Sequence, residues 1–184
     1  MRYVHPLTGE PLALDFLNTR ARTPEGWIDA LDRVTDFRHW LALQADRITP
    51  PRSLTAGDLD AVRELRAQVR EAVEATRRGS PVPAAALNAI NEAVRAAPPY
   101  TVLEPDLRRT VRRNGDDRAC LLAQLAEAAV ALLSDPAAAR IRACEGPQCV
   151  MLFLPAHPRR RWCSPTLCGN RVRVARYYQR RRDT

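Results

Sequence analysis

Four cysteines crowded into 25 residues, Cys144, Cys149, Cys163 and Cys168, constrain this chain more than any other feature. They are spaced C-x4-C-x13-C-x4-C, two equal short loops flanking a longer one. The segment Met1–Pro11 has no apolar stretch that could act as a secretory signal, and no apolar run approaches the roughly 20 residues of a membrane helix. The expected setting is therefore cytoplasmic, where disulfides do not persist, so the first reading of four clustered thiols is a metal site. Disulfide or redox use and four unrelated buried thiols are the alternatives. Two pairs of thiolates complete a tetrahedral Zn2+ shell and leave no open position, so the expected ion is structural, one per chain. The four-residue gaps are longer than the commonest knuckle, which leaves the geometry less determined than the ligand set.

The residues between and after the cysteines add shape. Val150–Leu154 is a short apolar strand, Pro155–Pro158 a turn that exposes His157, and Arg159–Trp162 a returning strand with Trp162 in the hairpin core. Ser164-Pro165 supplies an N-cap followed by proline at the first helical position, and the sequence stays helix-compatible to Arg182. Knuckle, hairpin and helix in this order predict a treble-clef-like finger. At 100° per residue, Cys168, Val172 and Ala175 face the metal and hairpin, whereas Arg173, Arg176 and Arg180 form a separate row bordered by Tyr177.

Charge follows the same partition. The chain carries a formal +8, all of it from residues 142–184, where ten arginines face Glu145 and Asp183; residues 1–141 balance. Excess charge confined to a terminal module points to a polyanion, with nucleic acid, DNA before RNA, as the first candidate. A solvated basic face, or one docked on an acidic partner protein, is the alternative. Lysine is absent throughout, which indicates a compositional bias and weakens any argument from a single arginine.

The body before the finger, residues 1–138, is expected to be mainly α with one short β-hairpin, followed by the finger at 142–184. Leu12–Asn18 is apolar enough for a buried helix. Trp27, Ile28, Leu31, Val34, Phe37, Trp40 and Leu41 recur at helical steps and predict a second, with an aromatic buried stripe. Thr55 and Asp58 form a cap before Leu59, Val62, Leu65, Val69 and Val73. Arg77–Pro83 ends that helix, and Pro83–Ala96 forms another with Leu87, Ile90 and Val94 inward. Short β-branched runs bounded by Pro105-Asp106 and Asn114-Gly115 predict the hairpin. An Ala-rich helix follows from Asp117 to Leu133, burying Cys120 as a small hydrophobe, and Ser134-Asp135-Pro136 breaks it.

Asp15, Asn18, Thr19 and Arg20, with His5 nearby, are polar groups set in an apolar segment. They are expected either to cap helices and satisfy buried hydrogen bonds or to line a pocket for a small-molecule effector, with Asp15, Asn18 and Arg20 as its ligand-binding residues. No nucleophile–base pair, phosphate loop or second metal signature accompanies them, so no enzymatic activity is expected.

Arg160-Arg161-Trp162-Cys163-Ser164 and Cys168-Gly169-Asn170-Arg171, with Cys144, Cys149 and Leu152-Phe153, resemble the CGNR zinc finger of bacterial proteins. Leu12-Ala13-Leu14-Asp15-Phe16-Leu17-Asn18-Thr19 and Asp36-Phe37 to Leu41 are similar to the ABATE domain that precedes this finger. The resemblance covers nearly the whole chain. It implies a transcription regulator with zinc-dependent nucleic-acid binding at the C-terminus and ligand or stress sensing at the N-terminus; RNA is the other target the resemblance allows. A basic residue follows CGNR shortly in relatives, often Lys, and Arg173 takes that place. Asn170 and Arg171 are expected to support the knuckle as much as to read nucleic acid. A single finger reads few bases, so sequence specificity on DNA calls for a homodimer.

Overall fold

Helix α1 (Leu12–Leu17) drives Leu14, Phe16 and Leu17 into complete burial. The computed structural model describes residues 9–23, 26–174 and Arg181. After α1 come strands β1 (Arg20–Thr23) and β2 (Gly26–Asp29), helices α2 (Val34–Ala42), α3 (Ala56–Arg78) and α4 (Ala84–Ala96), strands β3 (Pro99–Leu103) and β4 (Arg109–Arg113), and helix α5 (Asp117–Ser134). A 3-10 turn at Pro136–Arg140 leads into the finger strands β5 (Arg142–Ala143) and β6 (Leu152–Phe153). The strands form three separate antiparallel pairs, β1–β2, β3–β4 and β5–β6. The body is thus mainly helical with hairpins, and the cysteine region is a small finger-like appendage.

Caps set the long elements, the expected Thr55–Asp58 pair first. Thr55 Oγ1 accepts from the Asp58 amide at 3.3 Å, while the Asp58 carboxylate accepts from the Thr55 amide at 2.7 Å. This reciprocal box satisfies two amides the first turn of α3 would otherwise leave unpaired. Gly79 ends the helix at φ 67°, left-handed backbone that a Cβ disfavours. Asp116 caps α5, accepting from the Ala119 amide at 2.7 Å. α3 packs on α4 and α5, α4 packs on α5, and α1 lies against α5 and α3. Phe37 stacks on Trp40 at 5.6 Å inside the core that Leu59, Val62, Val69, Leu121 and Leu125 complete.

Three expectations fail locally. The helix expected to begin at Trp27 begins at Val34, because Trp27 and Ile28 belong to β2. Gly26, at φ 134°, turns the chain back so that Trp27 pairs with Arg22 and Ile28 with Ala21. The Asp29 carboxylate accepts from the Leu31 amide and from Arg66, tying the strand end to α3. Trp27 is consequently 51% exposed, while Phe37, Trp40 and Leu41 are buried. In α4 the buried line runs through Ala86 and Ile90, leaving Leu87 on the solvent side. Finally, Arg159–Trp162 is not a strand. β6 pairs instead with β5, Arg142 opposite Phe153 and Ala143 opposite Leu152. Pro158 has no amide to give a ladder, the Arg160 amide turns back to the His157 carbonyl, and one backbone bond, Glu145 amide to Arg161 carbonyl at 3.0 Å, holds the segment beside the knuckle.

Candidate metal centre and nucleic-acid interface

β5 runs directly into Cys144, whose amide donates to the Met151 carbonyl at 2.9 Å, so the ladder fixes the first ligand. A turn closed by the Cys149 amide on the Gly146 carbonyl (3.0 Å) brings Cys149 back towards it. Cys163 follows the crossing segment, and Cys168 lies in a single turn of π-helix, Pro165–Gly169. The wide turn is closed by the Gly169 amide on the Ser164 carbonyl at 3.0 Å, and Ser164 Oγ accepts from the Thr166 amide at 3.2 Å, the cap its sequence predicts. Helical backbone continues over 170–174.

All four sulfurs lie within 4.8 Å of one another, with Cys149–Cys163 at 3.9 Å and Cys163–Cys168 at 3.6 Å. A tetrahedral ion with zinc–sulfur bonds of about 2.3 Å sets its ligand sulfurs about 3.8 Å apart, so the cage fits Zn2+. The surroundings favour thiolates. The Cys163 amide donates to Cys144 Sγ at 3.2 Å, the Gly146 amide to the same sulfur at 3.4 Å, and Arg171 to Cys168 Sγ at 2.8 Å. Hydrogen bonds from Cys149 and Cys163 drive the Cys144 thiol far below its ordinary value, while their interaction with Cys144 pushes Cys149 and Cys163 upwards. Four sulfurs competing for protons in a buried cage are relieved when a divalent cation replaces those protons. None of the cysteines forms a disulfide, and Cys120, half-buried on α5, stands apart from the group. His157 is exposed, its Nδ1 accepting from the Arg159 amide.

Gly146 belongs to this site, although the sequence reading passes over it. A Cβ there would lie 2.9 Å from both Cβ and Sγ of Cys168 and 3.4 Å from Cys144 Sγ. A glycine two residues after the first ligand of a knuckle was the available signal, since only a bare backbone lets the sulfurs close in.

Of the six residues expected to meet nucleic acid, three are described. Arg171 is turned inward to the metal cage; Asn170 and Arg173 are exposed, with Arg173 donating to Asn170 Oδ1 at 2.9 Å. Asn170 thus braces an arginine of the outer row. Arg176, Tyr177 and Arg180 lie outside the described residues. Trp162 is half-buried against the cysteine cluster, with Arg161 over its ring.

Asp15, Asn18 and Arg20 are not brought to one pocket. Asp15 is buried and accepts from the Glu10 amide and from Arg47. Asn18 reaches into the finger, donating to the Leu152 carbonyl at 2.8 Å and accepting from the Leu152 amide at 2.9 Å. Thr19 donates to the Phe16 carbonyl, while Arg20 lies on the outside of β1 over Trp27. Strand alternation separates Arg20 from the buried helix end, and His5 lies outside the described residues. Buried Glu10, which no local signal marks, accepts from the Leu154 amide at 2.8 Å and from Arg160 at 2.6 Å; Arg160 also donates to the carbonyls of Trp162 and Cys163. A different cleft, about 820 Å3, opens between residues 49–52, β4 and α5, with Arg52, Tyr100, Arg112, Cys120 and Gln124 among its walls.

Residues 10–136 match the ABATE family, described as "Putative stress-induced transcription regulator", and residues 140–181 match the CGNR zinc finger. The chain belongs to the ABATE family, its C-terminal part matching the CGNR zinc finger. Both are regulatory rather than catalytic domains, in keeping with a cage whose four sulfurs leave a metal no open position. No curated protein matches the chain.

Proposed function

We propose that this ABATE–CGNR protein is a zinc-dependent transcription regulator that binds DNA through the helical segment that starts at Pro165 and contains Cys168, with the helical body as its effector-sensing domain. The observation carrying this reading is the convergence of four sulfurs on a cage whose last ligand lies at the root of an arginine-rich helix. Zn2+, held by Cys144, Cys149, Cys163 and Cys168, would fix the direction in which that helix leaves the finger. Arg173, Arg176 and Arg180 supply charge for phosphates, and helical spacing in the sequence borders that row with Tyr177. Arg171 is spent on a ligand sulfur, so it supports the helix root rather than DNA. Sensing is supported by the cleft on α5, whose volume suits a small effector.

The experiment is the zinc-loaded full chain against duplex DNA and structured RNA across a salt series, beside the Arg173/Arg176/Arg180→Gln variant. Each lost duplex-phosphate contact lowers the logarithmic salt slope by about 0.9, and the triple variant is expected to lose binding at physiological salt while keeping its zinc. Unchanged affinity and slope would move the protein-adaptor reading ahead, and preference for RNA would redirect the target.

A further inference from the structure

The β1–β2 hairpin has two dissimilar faces. Register pairs Ala21 with Ile28, and both pack into the cluster that holds Cys144, Cys149, Cys163 and Cys168. Successive strand residues point to opposite sides, so Arg20, Arg22 and Trp27 occupy the other face. There the Arg20 guanidinium lies 4.6 Å from the Trp27 ring centre and that of Arg22 5.6 Å from it. Neither arginine pairs with a described carboxylate. Asp29, directly opposite Arg20, is taken by Arg66 at 2.6 Å. Arg70, half-buried beside them, spends one nitrogen on the Leu17 carbonyl. Burial lowers its proton affinity; Glu74 opposes this, and the nearby Arg66 and Arg20 add to the lowering.

Such a face differs from the arginines scattered elsewhere on the body. Two guanidiniums each lie over the same indole, which lowers the cost of ordering them on phosphate. The same hairpin is seated on the metal cluster from which the basic helix departs, so the two positive surfaces share one support.

We propose that the Arg20–Arg22–Trp27 face of the β1–β2 hairpin is a second contact surface for the DNA bound by the finger, with Arg20 and Arg22 on backbone phosphates. Trp27 acts as a positioning residue: its ring carries the two guanidiniums and does not read a base. The footprint therefore extends from the finger onto the body, which gives an effector bound to the body a direct hold on affinity. This inference rests on the DNA-binding reading above.

The test uses the zinc-loaded full chain and fluorescent duplex DNA between 50 and 200 mM salt, with zinc content and circular dichroism recorded for each variant. Arg20→Gln with Arg22→Gln is expected to make the slope shallower by about 1.8, two phosphates' worth. Arg20→Lys with Arg22→Lys keeps the slope, because charge is retained. Trp27→Leu keeps the slope and weakens binding several-fold, because the guanidiniums lose their support. An unchanged slope in the Gln pair, with binding lost in the Arg173/Arg176/Arg180 variant, overturns the hairpin proposal alone. The reverse result overturns the finger reading, and with it the hairpin's place as a second surface, leaving the hairpin as a DNA contact in its own right. A wild-type chain with no salt-dependent binding overturns both.

Discussion

At the scale of single residues, the metal centre depends on what is missing as much as on what is present. The four sulfurs close to tetrahedral spacing only because Gly146 has no side chain beside Cys168. In Gly146→Ala the new methyl would meet Cys168 at 2.9 Å, inside any ordinary carbon contact, and the backbone nearby is itself committed to Cys144 and Cys149. Relief requires one ligand to move, so zinc affinity falls by roughly the 10–100-fold associated with disturbed supports around a metal. Competition with a chromophoric chelator measures it, and wild-type affinity would show that the knuckle yields without cost. Arg171 is the charged counterpart. Its bond to Cys168 offsets negative charge that four thiolates bring to one divalent ion, which ties the fourth letter of the CGNR motif to the metal site itself.

At the scale of elements, signals confined to one turn were legible and those needing a distant partner were not. The Thr55–Asp58 box, the helix end at Gly79 and the Ser164 cap all follow from residues within about five positions of each other. The cysteine spacing was equally readable, since one ion must gather its ligands whatever the intervening chain does. Trp27 was misread because Trp27, Ile28, Leu31 and Val34 imitate a helical period, and the competing signal, a strand paired through Gly26, depends on Arg20–Thr23. Leu87 shows the limit of periodicity in an alanine-rich helix, where apolar residues surround the axis and packing alone selects the buried side. Asn18 and Glu10 find partners 134 and 144 residues away, beyond any local pattern. The α3 cap also carries a pH signature. Arg118 and then Thr55 hold the Asp58 carboxyl below its ordinary value by hydrogen bonding to the charged form. That contribution is complete above the unfolded carboxylate value, near 4, and is lost as pH falls through the lower folded value. Arg118→Gln raises the folded value and shifts the midpoint of acid unfolding upwards, as followed by circular dichroism; an unmoved midpoint would mean that other carboxylates govern acid unfolding. Thr55→Ala costs about 1 kcal/mol at neutral pH.

At the scale of the whole molecule, the seam between body and finger decides how far loss of the metal is felt. Leu152, a finger strand residue, is part of the body's core, and Leu154 packs against it. Ala21 and Ile28, body residues, are packed with the cysteines. Polar bonds close the same boundary: Asn18 to both backbone groups of Leu152, and Glu10 to the Leu154 amide and to Arg160, which reaches the Cys163 carbonyl. Structural zinc contributes about 10–16 kcal/mol to isolated fingers, as much as the whole 5–15 kcal/mol of a typical domain, so on the zinc reading the finger is expected to lose its shape with the ion. Stripping zinc should therefore raise amide exchange in residues 142–174 and also in α1 and the β1–β2 hairpin, which lose packing and hydrogen-bond partners together. Helices α3, α4 and α5, which also pack on one another, should stay protected. Acidification should reproduce the pattern, because ligand thiolates take up protons as the metal leaves. Asn18→Ala separates the two halves of the argument, since it removes the pair of bonds to Leu152 without touching a ligand. It should raise exchange in α1 and β6 with zinc still bound. If chelation changes exchange only within 142–174, the seam does not transmit the state of the metal, and any signal passing between body and finger must take another route.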